Sequence, residues 1–228
     1  MRRILLLSLA LTALACTRKP EPLQSGDLLF VGIPADYSLD DASMESAIGA
    51  ATAEGAPLNI IHVAILDIDS LGTWIIDATI KRGVDRHPLD TFLHDFTLKD
   101  GALPVMKVMR LKDKAVNPKT CVQNARRYLG LPYDVYFLPD NDAFYCSELV
   151  QCSYLDADGS PLFGSAPMNF KNADGEFPLY WQQLFGRIGQ PIPQGVSGTN
   201  PRAMSENPQL TEIDFCMDND FPLYLCRI

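Results

Sequence analysis

Histidine is scarce in this chain. Three occur among 228 residues, His62, His87 and His94, so any chemistry that needs an imidazole base has three candidates. Basic residues are in deficit too: 19 Lys and Arg face 28 Asp and Glu, a formal charge of −9. That balance argues against a nucleic-acid partner, which would need a basic surface. No CxxC pair and no His/Cys spacing suggests a zinc site, so no metal and no cofactor is implied. Internal repeats and low-complexity runs are absent. Charged residues make up 21% and hydrophobic ones 47%, which excludes a disordered chain and a multispan membrane protein. The length suits one core of ordinary domain size.

What is present begins with "MRRILLLSLALTALAC". Two arginines, an apolar run and small residues before Cys16 predict a signal peptide over residues 1–15. The run is too short to span a bilayer comfortably. "ALAC" resembles a bacterial lipobox, which implies lipidation of Cys16 and a membrane partner through that anchor. The alternative is a signal cleaved near Ala15. Residues 16–25 then read as a polar tether. The expectation is an exported envelope protein, periplasmic or outer-membrane in a Gram-negative cell. Removing Arg2 and Arg3 leaves 17 basic against 28 acidic residues, a net of −11. Six cysteines are present, and lipidation of Cys16 would leave five. In an oxidising compartment one of them stays unpaired or pairs between chains. The tail cysteines, Cys216 and Cys226, could pair if their strands do.

The domain is expected over residues 26–228, with a C-terminal extension from about 211. "SGDLLFVGIP" predicts a strand over Asp27–Gly32. A helix follows, with Ser38 or Asp40 as cap and Met44, Ala47, Ile48 and Ala51 on one face. "NIIHVAILDI" and "TWIIDAT" read as buried strands joined by a "DSLG" loop. "HPLDTFLHDFTL" predicts a short helix with Pro88 near its start, and "PVMKVMRL" a strand over Val105–Leu111. "NPKTCVQNARRYLG" is a helix capped by Asn117, with Gly130 as its stop. Further helices are expected from Cys146, within "PLYWQQLFGRIG" and after Pro201. The end, "EIDFCMDNDFPLYLCRI", looks like two strands.

Cys146 falls at the first turn of its helix, on the face shared with Leu149 and Val150. A helix N-terminus favours thiolate over thiol. Cys152 lies six residues on, about 120° around the helix, without that advantage. The ordinary alternative for either is an inert buried thiol. A thiolate nucleophile needs a base. His87 and His94 look like surface residues. His62 sits in an apolar strand, where period two puts it with Ile60, Ala64 and Leu66. A four-residue "DSLG" loop pairs Ile68 with Thr73 and sets Asp77 opposite Ala64, a diagonal neighbour of His62 at ~7–8 Å between Cβ atoms; a two-residue loop at Asp69-Ser70 would set Asp77 directly opposite His62, and either register keeps the two on one face. Asp77 could instead accept nearby loop N–H groups. Glu148 reads as a first-turn residue answering the helix dipole.

Together "GDLLF", "HVAI", "IIDAT", "LPYDVYF" and "FYCSELV" resemble the NlpC-type papain-like cysteine peptidases and amidases. With histidine before cysteine, and with "WQQLFGRIGQPIPQGVSGTNP" later, the chain is similar to their circularly permuted branch, the YiiX/YebB-like hydrolases. The resemblance covers about Gly26 to Leu210. It implies an α+β papain-like fold, an antiparallel sheet or small barrel packed against the cysteine-bearing helix. It implies Cys146 as nucleophile, His62 as base, Asp77 as third polar residue and Tyr133 lining the site near the oxyanion. The ordinary role for Tyr133 is a packed ring with a bonded hydroxyl. The implied substrate is peptide-like or an N-acyl amide, such as a cell-wall peptide. One rival is a lipid acylhydrolase or acyltransferase with the same triad, although those relatives carry "NCEHF" where this chain has "YCSEL". Another is a non-catalytic envelope lipoprotein.

Overall fold

The computed structural model describes residues 20–53 and 55–215. In chain order the elements are β1 (Leu28–Pro34), α1 (Met44–Thr52), β2 (Leu58–Asp69), β3 (Gly72–Thr79) and β4 (Gly83–Pro88). Next come α2 (Leu89–Asp95), β5 (Val105–Leu111), α3 (Pro118–Arg126) and α4 (Cys146–Ser153). The last are β6 (Ala166–Pro167), α5 (Leu179–Ile188), β7 (Ser197–Gly198), α6 (Pro201–Ser205) and β8 (Leu210–Ile213). Six strands form one antiparallel sheet in the order β4-β3-β2-β1-β5-β8. The α+β class is as expected, with an open sheet.

The central strands are apolar on both faces because both faces are covered. Along β1, Leu28 and Phe30 join one core with Cys121, Leu149 and Val150 from α3 and α4. Leu29, Val31 and Ile33 join a second core with Leu89, Phe92 and Leu93 from α2. Fully burying each such side chain stabilises by about 1.5–3 kcal/mol. Two buried carboxylates pin the sheet. Asp27 takes both ends of Arg110 at 2.7 Å. Asp67 accepts from Arg86 at 2.6 Å and from Arg126 at 2.6–3.0 Å.

The β2–β3 hairpin keeps the expected register, with Ile68 opposite Thr73. Period two along β2 does not hold throughout. Pairing jumps from Val31↔His62 to Gly32↔Ile60, so Ile61 is an extra, unpaired residue toward β1. Ile60 therefore packs in the α4-side core with Val63 and Ile65, while Ile61 joins Ala64 and Leu66 on the other face.

Other expectations need correction. The α1 cap is Ser43, whose Oγ accepts the Ser46 N–H at 3.1 Å. Asp40 is spent on the Ala42 N–H at 3.0 Å. Helix α3 is capped by Asn117 as expected but ends at Arg126, short of Gly130, whose N–H bonds Val84 O at 2.9 Å. Strand β4, polar and at the edge, was not anticipated. It takes His87 and Pro88 out of the helix expected there. His87 is consequently buried, at 5% exposure, and not at the surface. The stretch expected as paired tail strands begins with β8 on the sheet edge. Cys216, Cys226 and the leader with Cys16 lie outside the described residues.

Candidate active site

The site forms where α4 meets β2 and β3. Cys146 is the first residue of α4, so its N–H lies outside the helix's own hydrogen-bond ladder. It is 6% exposed and packs in the core with Leu149 and Val150. The preceding Tyr145 N–H is held by Glu148 Oε2 at 3.4 Å. The same turn is tied to the β7 loop. Thr199 N–H donates to Tyr145 Oη at 3.0 Å, and Thr199 Oγ1 donates to Ser147 Oγ at 2.9 Å. Gly198 allows this approach, since a Cβ there would meet Tyr145 Oη at 2.7 Å. These tethers were not recognised in the sequence, although "SGTNP" lies within the family-like stretch.

His62 and Asp77 meet as the hairpin register required. His62 Nε2 donates to Asp77 Oδ2 at 2.8 Å, with both residues buried. That bond leaves Nδ1 as the ring nitrogen available to Cys146. The imidazole lies against Phe96 and Phe92, with centroids 4.8 and 6.0 Å away. Burial alone would lower the His62 pKa. A negative Cys146 beside it and the Asp77 carboxylate more than reverse this, raising it to about 10. The imidazole thus holds its proton at neutral pH when the thiol has lost one.

Burial pushes both Cys121 and Cys152 up to about 11. Glu148 stands in the first turn of α4 as expected, bonded to the Tyr145 N–H. Burial, reinforced by the nearby Asp134 carboxylate, raises it to about 8, so at neutral pH it caps the helix mostly as a neutral acid and not as a charge answering the dipole.

Two cavities flank the pair and share Ile48 and Tyr133. The larger, about 430 Å³, has His62 in its wall with Ile61, Lys81, Arg82, Asp95 and Phe96. The smaller, about 60 Å³, has Cys146 with Phe137, Met168, Phe170 and Trp181. Helix α5 supplies Trp181 to one and Tyr180 to the other. Tyr133 sits at the junction, its ring edge-on to Phe137 at 6.2 Å. Burial raises its phenol well above the ordinary value, which keeps it a neutral donor. His94 is 90% exposed in its side chain and far from this chemistry in character.

Residues 22–214 match the family described as "Permuted papain-like amidase enzyme, YaeF/YiiX, C92 family". A relative from Escherichia coli strain K12, "Uncharacterized protein YiiX", is 28% identical over 218 residues, 92% of this chain and 94% of its own. The crystal structure of "metalloprotein yiiX" from Escherichia coli O157:H7 is similar at a TM-score of 0.62 and 27% identity. That likeness covers 83% of this chain and 96% of the other. The histidine strand precedes the cysteine helix, the family match spans the whole sheet, and this chain belongs to the permuted papain-like amidases.

Proposed function

We propose that the protein hydrolyses an amide bond through an acyl-enzyme on Cys146, with His62 as acid and base and Asp77 as its orienting carboxylate. Cysteine-hydrolase chemistry in general follows from the family. The observation that carries the residue assignment is the buried 2.8 Å bond from His62 to Asp77 on an imidazole whose charge is tied to Cys146.

The Cys146 thiolate attacks the substrate carbonyl carbon. The oxyanion that forms is held by N–H groups at the start of α4, including that of Cys146, with Tyr133 beside it. His62 gives its proton to the leaving nitrogen, the C–N bond breaks, and a thioester remains. Water then loses a proton to His62 and attacks the thioester. The C–S bond breaks and releases the acid and the free enzyme. Among the described residues no three His, Cys, Asp or Glu side chains are grouped to hold a metal ion. The word "metalloprotein" attached to the E. coli structure finds no matching ligand set among these residues, and the steps above are assigned to Cys146, His62 and Asp77.

The substrate class we favour is peptide-like or an N-acyl amide, with a cell-wall peptide as one instance. The cavity beside His62 sets the charged Lys81, Arg82 and Asp95 in a largely apolar wall, which suits a leaving group with both apolar and polar parts. A lipid ester is the second reading, favoured by the aromatic pocket beside Cys146. Lipidation at Cys16 would place either substrate at a membrane surface.

The test is an electrophilic thiol probe alongside a panel of cell-wall peptides, N-acyl amides and lipid esters. Cys146→Ala is expected to abolish both active-site labelling and turnover. Unchanged labelling and amidase turnover in that variant would remove the mechanism. Faster lipid-ester than amide turnover by the unaltered protein would reverse the order of substrates.

A further inference from the structure

Among the described residues, four side-chain nitrogen or oxygen atoms are buried without a hydrogen-bond partner. Two of them face each other: Asp77 Oδ1 and His87 Nδ1, 3.9 Å apart. A buried orphan of either kind is costly, so two orphans at this separation call for one explanation. The ladder supplies it. Asp85 lies opposite Asp77 and His87 opposite Ile75. His87 is therefore diagonal to Asp77, on the face that also presents His62. The Phe92 ring lies 6.3 Å from the His87 ring and 6.0 Å from that of His62, flooring both imidazoles.

His87 has one competing acceptor, Asp85 Oδ2 at 3.5 Å. That side chain is 43% exposed and also lies 3.8 Å from Arg82 Nε, so it has solvent and a guanidinium to answer it. Asp77 Oδ1 is buried without a hydrogen-bond partner, and the Arg82 guanidinium acts on that carboxylate only from beyond contact distance.

We propose that His87 is a positioning residue for the reaction, donating its Nδ1–H to Asp77 Oδ1. Closing the gap to hydrogen-bond length takes about 1 Å, a small turn of the carboxylate or the ring. With both oxygens engaged, Asp77 cannot rotate, and Oδ2 holds His62 with Nδ1 toward Cys146. The inference rests on the Cys146–His62 pairing proposed above. It extends that pairing to a row of four groups on α4, β2, β3 and β4.

The test uses iodoacetamide alkylation of Cys146 in the full chain at neutral pH, read by peptide mass spectrometry, and needs no substrate. His87→Leu should slow alkylation about tenfold, the scale of one charge-assisted hydrogen bond. His87→Asn keeps an N–H donor near the Nδ1 position and should restore the rate to within about twofold on the same reasoning. In an Asp77→Asn background, His87→Leu should add no further loss, because its effect runs through that carboxylate. Equal losses in both backgrounds with no rescue by Asn would show ordinary packing and overturn the proposal. So would an Asp85→Asn loss as large as that of His87→Leu, which assigns the proton to Asp85. If His62→Ala slows alkylation and His87→Leu does not, only the role of His87 falls. If His62→Ala leaves the rate unchanged, the pair itself falls and His87 with it.

Discussion

Asp67 and Asp77 sit on adjacent strands, β2 and β3, and both are almost wholly buried. Asp67 is saturated. Arg86 and Arg126 together give it four contacts of 2.6–3.0 Å, from guanidiniums that stay charged at every working pH. Asp77 meets only imidazoles: His62 bonds one oxygen and His87 stands near the other. One carboxylate is paired with fixed charge and serves the fold. The other is paired with imidazoles, the side chains that the proposed proton transfer would use.

That contrast predicts opposite consequences for two similar substitutions. Asp77→Asn should lower kcat by about 10²–10⁴-fold, the range of a disabled acid–base pair, with little change in Tm. It should also move the alkaline limb of the pH–rate profile. In the unaltered protein, activity should fall as pH rises through about 10, where His62 loses its proton. Without the Asp77 charge that loss should come at lower pH. A substrate found by the screen described above would report both. A wild-type alkaline limb that Asp77→Asn does not shift would break the comparison.

Asp67→Ala should do the reverse, leaving kcat within a few-fold but costing stability. Removing one partner of a buried pair costs about 3–5 kcal/mol. Because the Arg126 side chain is 43% exposed, about 2 kcal/mol is the better expectation. For a chain of this size that lowers Tm by about 4–8 °C. Calorimetry showing no change would mean the arginines find other partners without cost.

A further effect, read as a slope against pH, concerns Glu148. Its folded pKa of about 8 lies above the ordinary 4.5, so the folded state binds a proton that the unfolded chain releases. That contribution to stability is complete below pH 4.5 and is lost as pH rises through about 8. Between about pH 4.5 and 6.5, before His62 contributes, the slope should reach at most about 1.4 kcal/mol per pH unit. Glu148→Gln keeps an acceptor for the Tyr145 N–H and should flatten it. Urea unfolding midpoints at three pH values in that window would show the difference.

Much of this was legible in the chain. Asn117-Pro118 announced α3, and either register that the short "DSLG" stretch allowed kept His62 and Asp77 on one face of the hairpin. Cys146 was separable from Cys152 by helix position alone. The remainder depended on features with weak local signals. Strand β4 reads "GVDRHP", polar and proline-ended, and only pairing with β3 makes it a strand. His87 was misplaced for that reason, since its burial comes from Phe92 on the following helix. The Ile61 bulge is a backbone event inside an unbroken apolar run, where every residue type fits either face. Ser43 displaced Ser38 and Asp40 as cap because the turn before α1 consumed Asp40 first.

That bulge has a consequence for how such a site changes over generations. Because Ile61 is supernumerary toward β1, β2 delivers two successive side chains, Ile61 and His62, to the same cavity wall. His62 is tied to its register by Asp77, but Ile61 has no cross-strand partner on β1 to satisfy. Position 61 is therefore a place where the cavity wall can change beside His62 while the His62–Asp77 bond stays in place, so that, on the reaction proposed above, selection for a new leaving group has a residue to work on outside the triad.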